Sequence, residues 1–463
     1  MKKMFTKLFS TVLVMALVLT GFTVKAQQTT LASVTTISKK NDAKADSAVV
    51  AKTDKKTDAA VIAQPAAKAD APAWVPVRRL WGYAFGDLYF DQHADATNRG
   101  AETMYNGVPA NRNAFQFRRV YIGYDYDIDQ KFTAEVLLAS EPSANTGVNG
   151  TTAIQNGDNL VDGKMAFWIK NFNLRVRNLW TGTDLVVGEM GTPGFALNEP
   201  GTNAPTSLSE ATWGYRFIEK TITDFHKNNS YDVGAALQGT FDPATKNFGY
   251  VFMLGNNSTS SLLTAANANT GFYKITYGDL WGKFFNKQLY VDIYADYAPT
   301  NPSTATIPDQ QSHSIMKIFA AYINPKFSIG VEAYTQQIKD GVTNSGTKAN
   351  EDATVNGLSV WVKGAIVKDK LSFFARYDGY NPDTKFDNTN SYTVNTNYGS
   401  YNPTVKETFY TGGLDYTPAP KIHFSPNFWL IDYKDQRAAT TTGYVGDDHT
   451  LVFRATFYYT FGK

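Results

Sequence analysis

A chain of 463 residues with 14% aromatics and 19% charged residues can build several soluble domains or one very large sheet. Its formal net charge of +2 leaves no electrostatic footprint for nucleic acid, and no nucleic-acid partner is expected. The absence of cysteine excludes a disulfide framework, a thiolate metal site and a cysteine nucleophile.

Taken in chain order, "MKKMFTKLF" places Lys2, Lys3 and Lys7 ahead of an apolar run from Leu8 to Val18. Val24 and Ala26 then precede Gln27, the small-residue pattern of a secretory cleavage site. The run is short for a spanning helix. Residues 1–26 therefore read as a signal peptide that sends the mature chain out of a bacterial cytoplasm. Residues 27–75 are rich in Ala, Lys, Asp, Thr and Val, with no aromatic before Trp74. Such a segment cannot bury enough surface to offset chain entropy, and it reads as a flexible periplasmic linker. No run of 18 apolar residues follows, so a mature chain embedded in a membrane has to be a barrel.

Residues 76–463 alternate with period two. In "QLYVDIYADYAP", Leu289, Val291, Ile293, Ala295 and Tyr297 share one face, while Tyr290, Asp292, Tyr294 and Asp296 share the other. The final "LVFRATFYYTFGK" separates Leu451, Phe453, Phe457 and Phe461 from Arg454, Thr456 and Thr460 in the same way. About sixteen such strands are predicted, near 79–91, 114–127, 131–141, 163–175, 184–191, 230–241, 246–256 and 269–279, then 286–298, 313–324, 326–338, 355–368, 370–380, 404–417, 420–434 and 448–461. Short connections at 127–131, 242–246, 324–326, 368–370 and 418–420 alternate with long loops rich in Asn, Thr and Gly. That asymmetry, with strands longer than the soluble average of about five or six residues, predicts a transmembrane antiparallel β-barrel of about 16 strands. Its apolar face would meet outer-membrane lipid.

The connection from Gly188 to Ser230 is the longest, and it carries Trp213, Tyr215, Phe217, Ile218 and Ile222. A loop this apolar is expected to fold inward and narrow the lumen. Five stretches carry a family resemblance: "FQFRRVYIGYDYDIDQKFTAEV", "KMAFWIKNF", "LVVGEMGTPGF", "WGYRFIEKTITD" and "YDVGAALQG". In this order they resemble the phosphate-selective porin O and P family and its Bacteroidetes-like relatives. The resemblance implies a homotrimer in the outer membrane, with passive passage of small hydrophilic solutes or anions and a possible phosphate preference.

Phosphate selectivity would need a basic lining. Alternation turns Arg119, Lys164, Lys170, Lys274, Lys363, Arg376 and Arg454 toward the lumen, against Glu135, Asp232, Asp292, Asp296, Glu332 and Asp378. The signs nearly balance, which predicts weak selectivity. Within the loop, Arg216, Lys220 and Lys227 stand beside Glu199, Glu210, Glu219 and Asp224, either as a transverse field on solutes or as ion pairs pinning the loop. Arg118 and Arg119 are adjacent and should point to opposite faces.

No metal site is expected from the five scattered histidines, of which His93, His313 and His449 fall at loop edges. "DYDID" starts like a calcium loop, but Gln130 and Val136 stand where Gly and Glu belong, so it reads as a polar turn. Neither a cofactor nor an enzyme is expected, since no catalytic or nucleotide motif is present. The alternative to a channel is a structural or adhesive barrel that barely conducts.

Overall fold

A computed structural model describes residues 74–97, 99, 108–140, 167–194, 208–226, 230–257, 275–299, 311–394 and 402–462. The expected signal peptide at 1–26 and nearly all of the expected linker at 27–75 lie outside the described residues. The alternating segments form β1 (Arg78–His93), β2 (Arg112–Asp127), β3 (Phe132–Ser140), β4 (Trp168–Trp180), β5 (Thr183–Gly191) and β6 (Tyr231–Thr240). They continue as β7 (Phe248–Gly255), β8 (Ile275–Phe284), β9 (Leu289–Pro299), β10 (Ser312–Ile323), β11 (Phe327–Asn344) and β12 (Asn350–Val367). The last are β13 (Leu371–Asn381), β14 (Tyr392–Val394), β15 (Val405–Ala419), β16 (Ile422–Asp435) and β17 (Asp448–Gly462).

These 17 strands form one antiparallel sheet, and β17 returns to β1 with Trp81 opposite Gly462 and Phe90 opposite Phe453. The 3-residue β14 is no stave: it pairs with the end of β11, while β13 bonds directly to β15. Setting β14 aside, the other 16 of the 17 strands close a barrel that has no free edge.

The expected faces are realised. On β9, Ile293 and Tyr297 are 51% and 53% exposed on the outside, whereas Asp292 and Tyr294 are 0% exposed inside. Phe115, Ile169, Phe172, Leu280 and Phe453 join the outer apolar surface. Each such side chain gains roughly 1.5–3 kcal/mol when fully transferred from water to an apolar medium. Dozens of them facing water would be untenable, and the distribution suits a lipid surround.

Inside, large aromatics sit over inward glycines of the next strand. Gly249 lies opposite Trp281 and Gly330 opposite Trp361; a Cβ there would come within 2.1 Å and 2.4 Å of the indole. The turns at the short-loop end are built locally. Asp129 accepts the backbone N–H groups of Lys131 (2.7 Å) and Phe132 (2.8 Å), as a polar turn does. The neighbouring Asp125 and Asp127 point inward to Arg79, Trp81 and Arg177.

Several boundaries differ from expectation. The segment predicted at 163–175 is β4 at Trp168–Trp180, and that predicted at 269–279 is β8 at Ile275–Phe284. The turn after β8 uses three consecutive left-handed residues, Phe285, Asn286 and Lys287, of which only Asn286 is a type that favours that conformation. β11 and β12 extend beyond the expected strands, with an irregularity between Ile338 and Val342.

The adjacent arginines depart most instructively. Phe85 pairs with Arg119 and Gly86 with Phe117, so Arg118 is the extra residue of a β-bulge. The bulge turns both side chains inward, leaving Arg118 2% and Arg119 8% exposed, and both stand over the Phe85 ring.

Candidate functional site: the inward loop between β5 and β6

The loop enters the barrel after Gly191, and its described part, residues 208–226, forms two short helices over Leu208–Trp213 and Ile222–His226. Its apolar residues are the reason it does not remain in water. Trp213, Ile218 and Ile222 are 0–1% exposed, and Phe217 is 4% exposed. Trp213 packs on Trp361 and Phe374, Tyr215 on Phe374, and Phe217 stacks on Tyr458 with ring centroids 4.6 Å apart. At the far end His226 stacks on Tyr380 at 3.6 Å.

Polar wall residues then grip the loop backbone. The Arg118 guanidinium donates to the carbonyls of Phe217 and Ile218, and Arg454 donates to Ile218 at 3.1 Å. Arg376 donates to the carbonyl of Lys220, while Lys363 donates to those of Thr212 (2.6 Å) and Trp213 (2.8 Å). Lys317 reaches the carbonyl of Gly194 at 3.2 Å. From the acidic side, Asp292 accepts the Leu208 N–H at 3.2 Å, and Glu332 accepts both the N–H and hydroxyl of Thr223. Charged acceptors and donors make these bonds stronger than neutral ones.

The loop's own charges brace it internally. Arg216 bridges Glu210 at 3.3 Å and Asp224 at 2.8 Å, and the second Glu210 oxygen accepts the Thr221 N–H. Glu219 accepts the N–H of Lys220 at 2.7 Å. Burial alone would raise the Asp224 carboxyl, but the adjacent Lys220 and Arg216 outweigh it and hold it at about 2. Burial, followed by the nearby Arg376 and Lys220, pushes His226 down to about 3.

Of the residues singled out by sequence, Arg216, Lys220, Glu219, Asp224 and Glu210 thus come together in the loop. Arg119, Lys170 and Arg376 stand on the inner wall; Lys170 donates to the Tyr121 hydroxyl at 2.8 Å, and Arg376 lies over the Trp213 ring. Lys164, Lys227, Lys274 and Glu199 lie outside the described residues. Sequence reasoning missed Arg118, because a bulge leaves no mark on alternation, and Lys317. The latter shares its inward face with Ile315 and Phe319, so that face reads as apolar.

Around the wall, the carboxylates Glu189, Asp232, Asp279, Asp292, Asp296 and Glu332 gather on β5–β11, with Lys317 among them. Arg118, Arg119, Lys170, Arg175, Lys363, Arg376 and Arg454 occupy the other sector, mixed with acids such as Asp87, Glu135 and Asp378. Next to the loop, Glu219, Phe225, His226, Asp378, Tyr380 and Glu407 line a small cavity.

No protein-family model and no curated protein matches the chain. Among solved structures, the outer membrane channel DcaP of Acinetobacter baumannii is similar at 10% identity and a TM-score of 0.52, over 83% of this chain and 97% of that one. The anion-selective porin from Comamonas acidovorans is similar at 11% identity and a TM-score of 0.51, over 84% of this chain and 100% of that one. At such identities the likeness is one of fold: a closed 16-strand antiparallel barrel.

Proposed function

We propose that the chain is an outer-membrane porin, a passive channel for small hydrophilic solutes and ions rather than an enzyme. The observation that carries this is the inverted barrel: staves apolar on their outer face and charge-bearing on their inner face, and a loop between β5 and β6 fastened across the lumen. Solved structures of the same fold include an outer membrane channel and an anion-selective porin, which supports the reading. A cleaved leader at 1–26, a periplasmic linker at 27–75 and assembly as a homotrimer belong to it as well.

Mild selectivity is the expected behaviour. Arg118, Arg454, Arg376 and Lys363 spend donors on loop carbonyls, and their sector of the wall also holds acids. A desolvated phosphate would need several cations offering donors together, so the phosphate preference of the resembling family is not expected to be strong. The reversal potential of the purified channel in a tenfold salt gradient checks this: a value of a few millivolts fits. A value near the ideal anion limit, roughly 59 mV per tenfold gradient for a monovalent ion, would contradict it.

A second reading, a structural barrel that barely conducts, is favoured by one feature. Asp87, Asp232, Asp292 and Lys317 on the inner wall are only 0–2% exposed, so the lumen at their level is crowded. Measurable openings in a bilayer separate the two.

A further inference from the structure

The barrel's closure brings together residues that the sequence keeps 355 positions apart. At the long-loop end of the seam, His93 closes β1 and Asp448 and His449 open β17. The His93 Nε2 lies 2.9 Å from the Asp448 Oδ1, and the His449 Nδ1 lies 3.8 Å from that same oxygen. All three atoms fall within 4.8 Å of one another. We propose that His93, His449 and Asp448 form a binding site for a divalent transition-metal ion of the zinc kind, clamping the first strand to the last.

The donor set suits such an ion: two imidazoles and one carboxylate leave a fourth, water-filled position of a tetrahedron. Ligand atoms about 2.1 Å from zinc stand about 3.4 Å apart in that geometry, close to the spacings here. The two rings are now stacked at 4.0 Å and 11°, so their lone pairs run side by side. A modest turn of each ring would make them converge, and both side chains, 40% exposed, have room for it.

The carboxylate is already held in place. Its Oδ2 accepts the Ala96 N–H at 2.9 Å, and its Oδ1 accepts the His449 N–H at 2.8 Å, which leaves side-chain rotation little freedom. A second observation points independently to a cation. Asp91, two residues before His93, is 0% exposed, and neither of its oxygens has a hydrogen-bond partner among the described residues. A buried carboxylate left this way is costly unless positive charge sits nearby. An ion on His93 would supply it.

The test uses the purified full chain in detergent, stripped with a chelator and titrated with zinc alone by calorimetry. The expected result is saturable uptake of about one ion per chain, with His93→Gln and His449→Gln each weakening it by roughly tenfold or more. Cobalt loaded in place of zinc should show the visible absorption bands of a four-coordinate nitrogen and oxygen site. If either histidine variant fails to form a barrel, Asp448→Asn, which keeps the side chain's shape, is titrated instead and should weaken uptake likewise. Absence of saturable zinc uptake by the wild-type chain would overturn the proposal, as would equal uptake in variants whose strand spectrum is intact.

Discussion

Arg118 shows how much a single misplaced residue can organise. The bulge that holds it brings its Nε within 2.8 Å of the Asp87 carboxylate, with both groups almost wholly buried. From there the guanidinium extends to the loop carbonyls of Phe217 and Ile218. After truncation Asp87 would keep, among its neighbours, the Arg454 Nη1 at 3.8 Å and the Thr456 hydroxyl at 2.6 Å. Breaking one side of a buried pair typically costs about 3–5 kcal/mol. Arg118→Ala is therefore expected to lower the urea stability of the lipid-inserted protein by that order. An unchanged midpoint would show that the pair adds nothing beyond its own desolvation cost. The same residue marks where sequence stops being informative. Alternation puts adjacent side chains on opposite faces, and only pairing with β1 reveals that residue 118 is supernumerary.

At the scale of the element, the loop of residues 208–226 combines an apolar anchor with charges that respond to acid. His226 is docked neutral, with its proton affinity pushed down to about 3; once released, it would return toward its ordinary value near 6.5. Above that value the docked and released loops bind the same number of protons, and docking is at full strength. As the pH falls from about 6.5 toward 3, the released loop takes up a proton that the docked one refuses, so docking weakens. Asp224, held at about 2 beside Lys220 and Arg216, weakens it further only below the ordinary carboxylate range. Channel current recorded across this window is expected to become noisier or larger below pH 5, and His226→Gln should blunt the change. A flat record from pH 7 to pH 4 would mean that the loop is not gated by this histidine. That the loop turns inward was legible from its length and from Trp213, Tyr215 and Phe217. Which wall residues hold it was not, because carbonyl acceptors have no sequence signature.

For the whole molecule, the staves were readable because period two is imposed directly by the pleat, and a lipid-facing band keeps most outward positions apolar. The short turns at 127–131, 242–246, 324–326, 368–370 and 418–420 were readable because Asp, Asn, Pro and Lys punctuate them. Closure is different in kind. The meeting of His93 with His449 depends on how sixteen registers add up around the ring, so histidines that read as scattered at loop edges become neighbours, and His313 becomes buried. The same closure produces the mixed charge of the inner wall, the basis for proposing a weakly selective water-filled passage. Single-channel conductance of the purified chain in a planar bilayer, recorded in chloride and again with added phosphate, is the decisive measurement of such a passage. Stable openings that phosphate barely reduces are predicted. Block at low phosphate would contradict the weak selectivity, and a silent bilayer would contradict the channel itself.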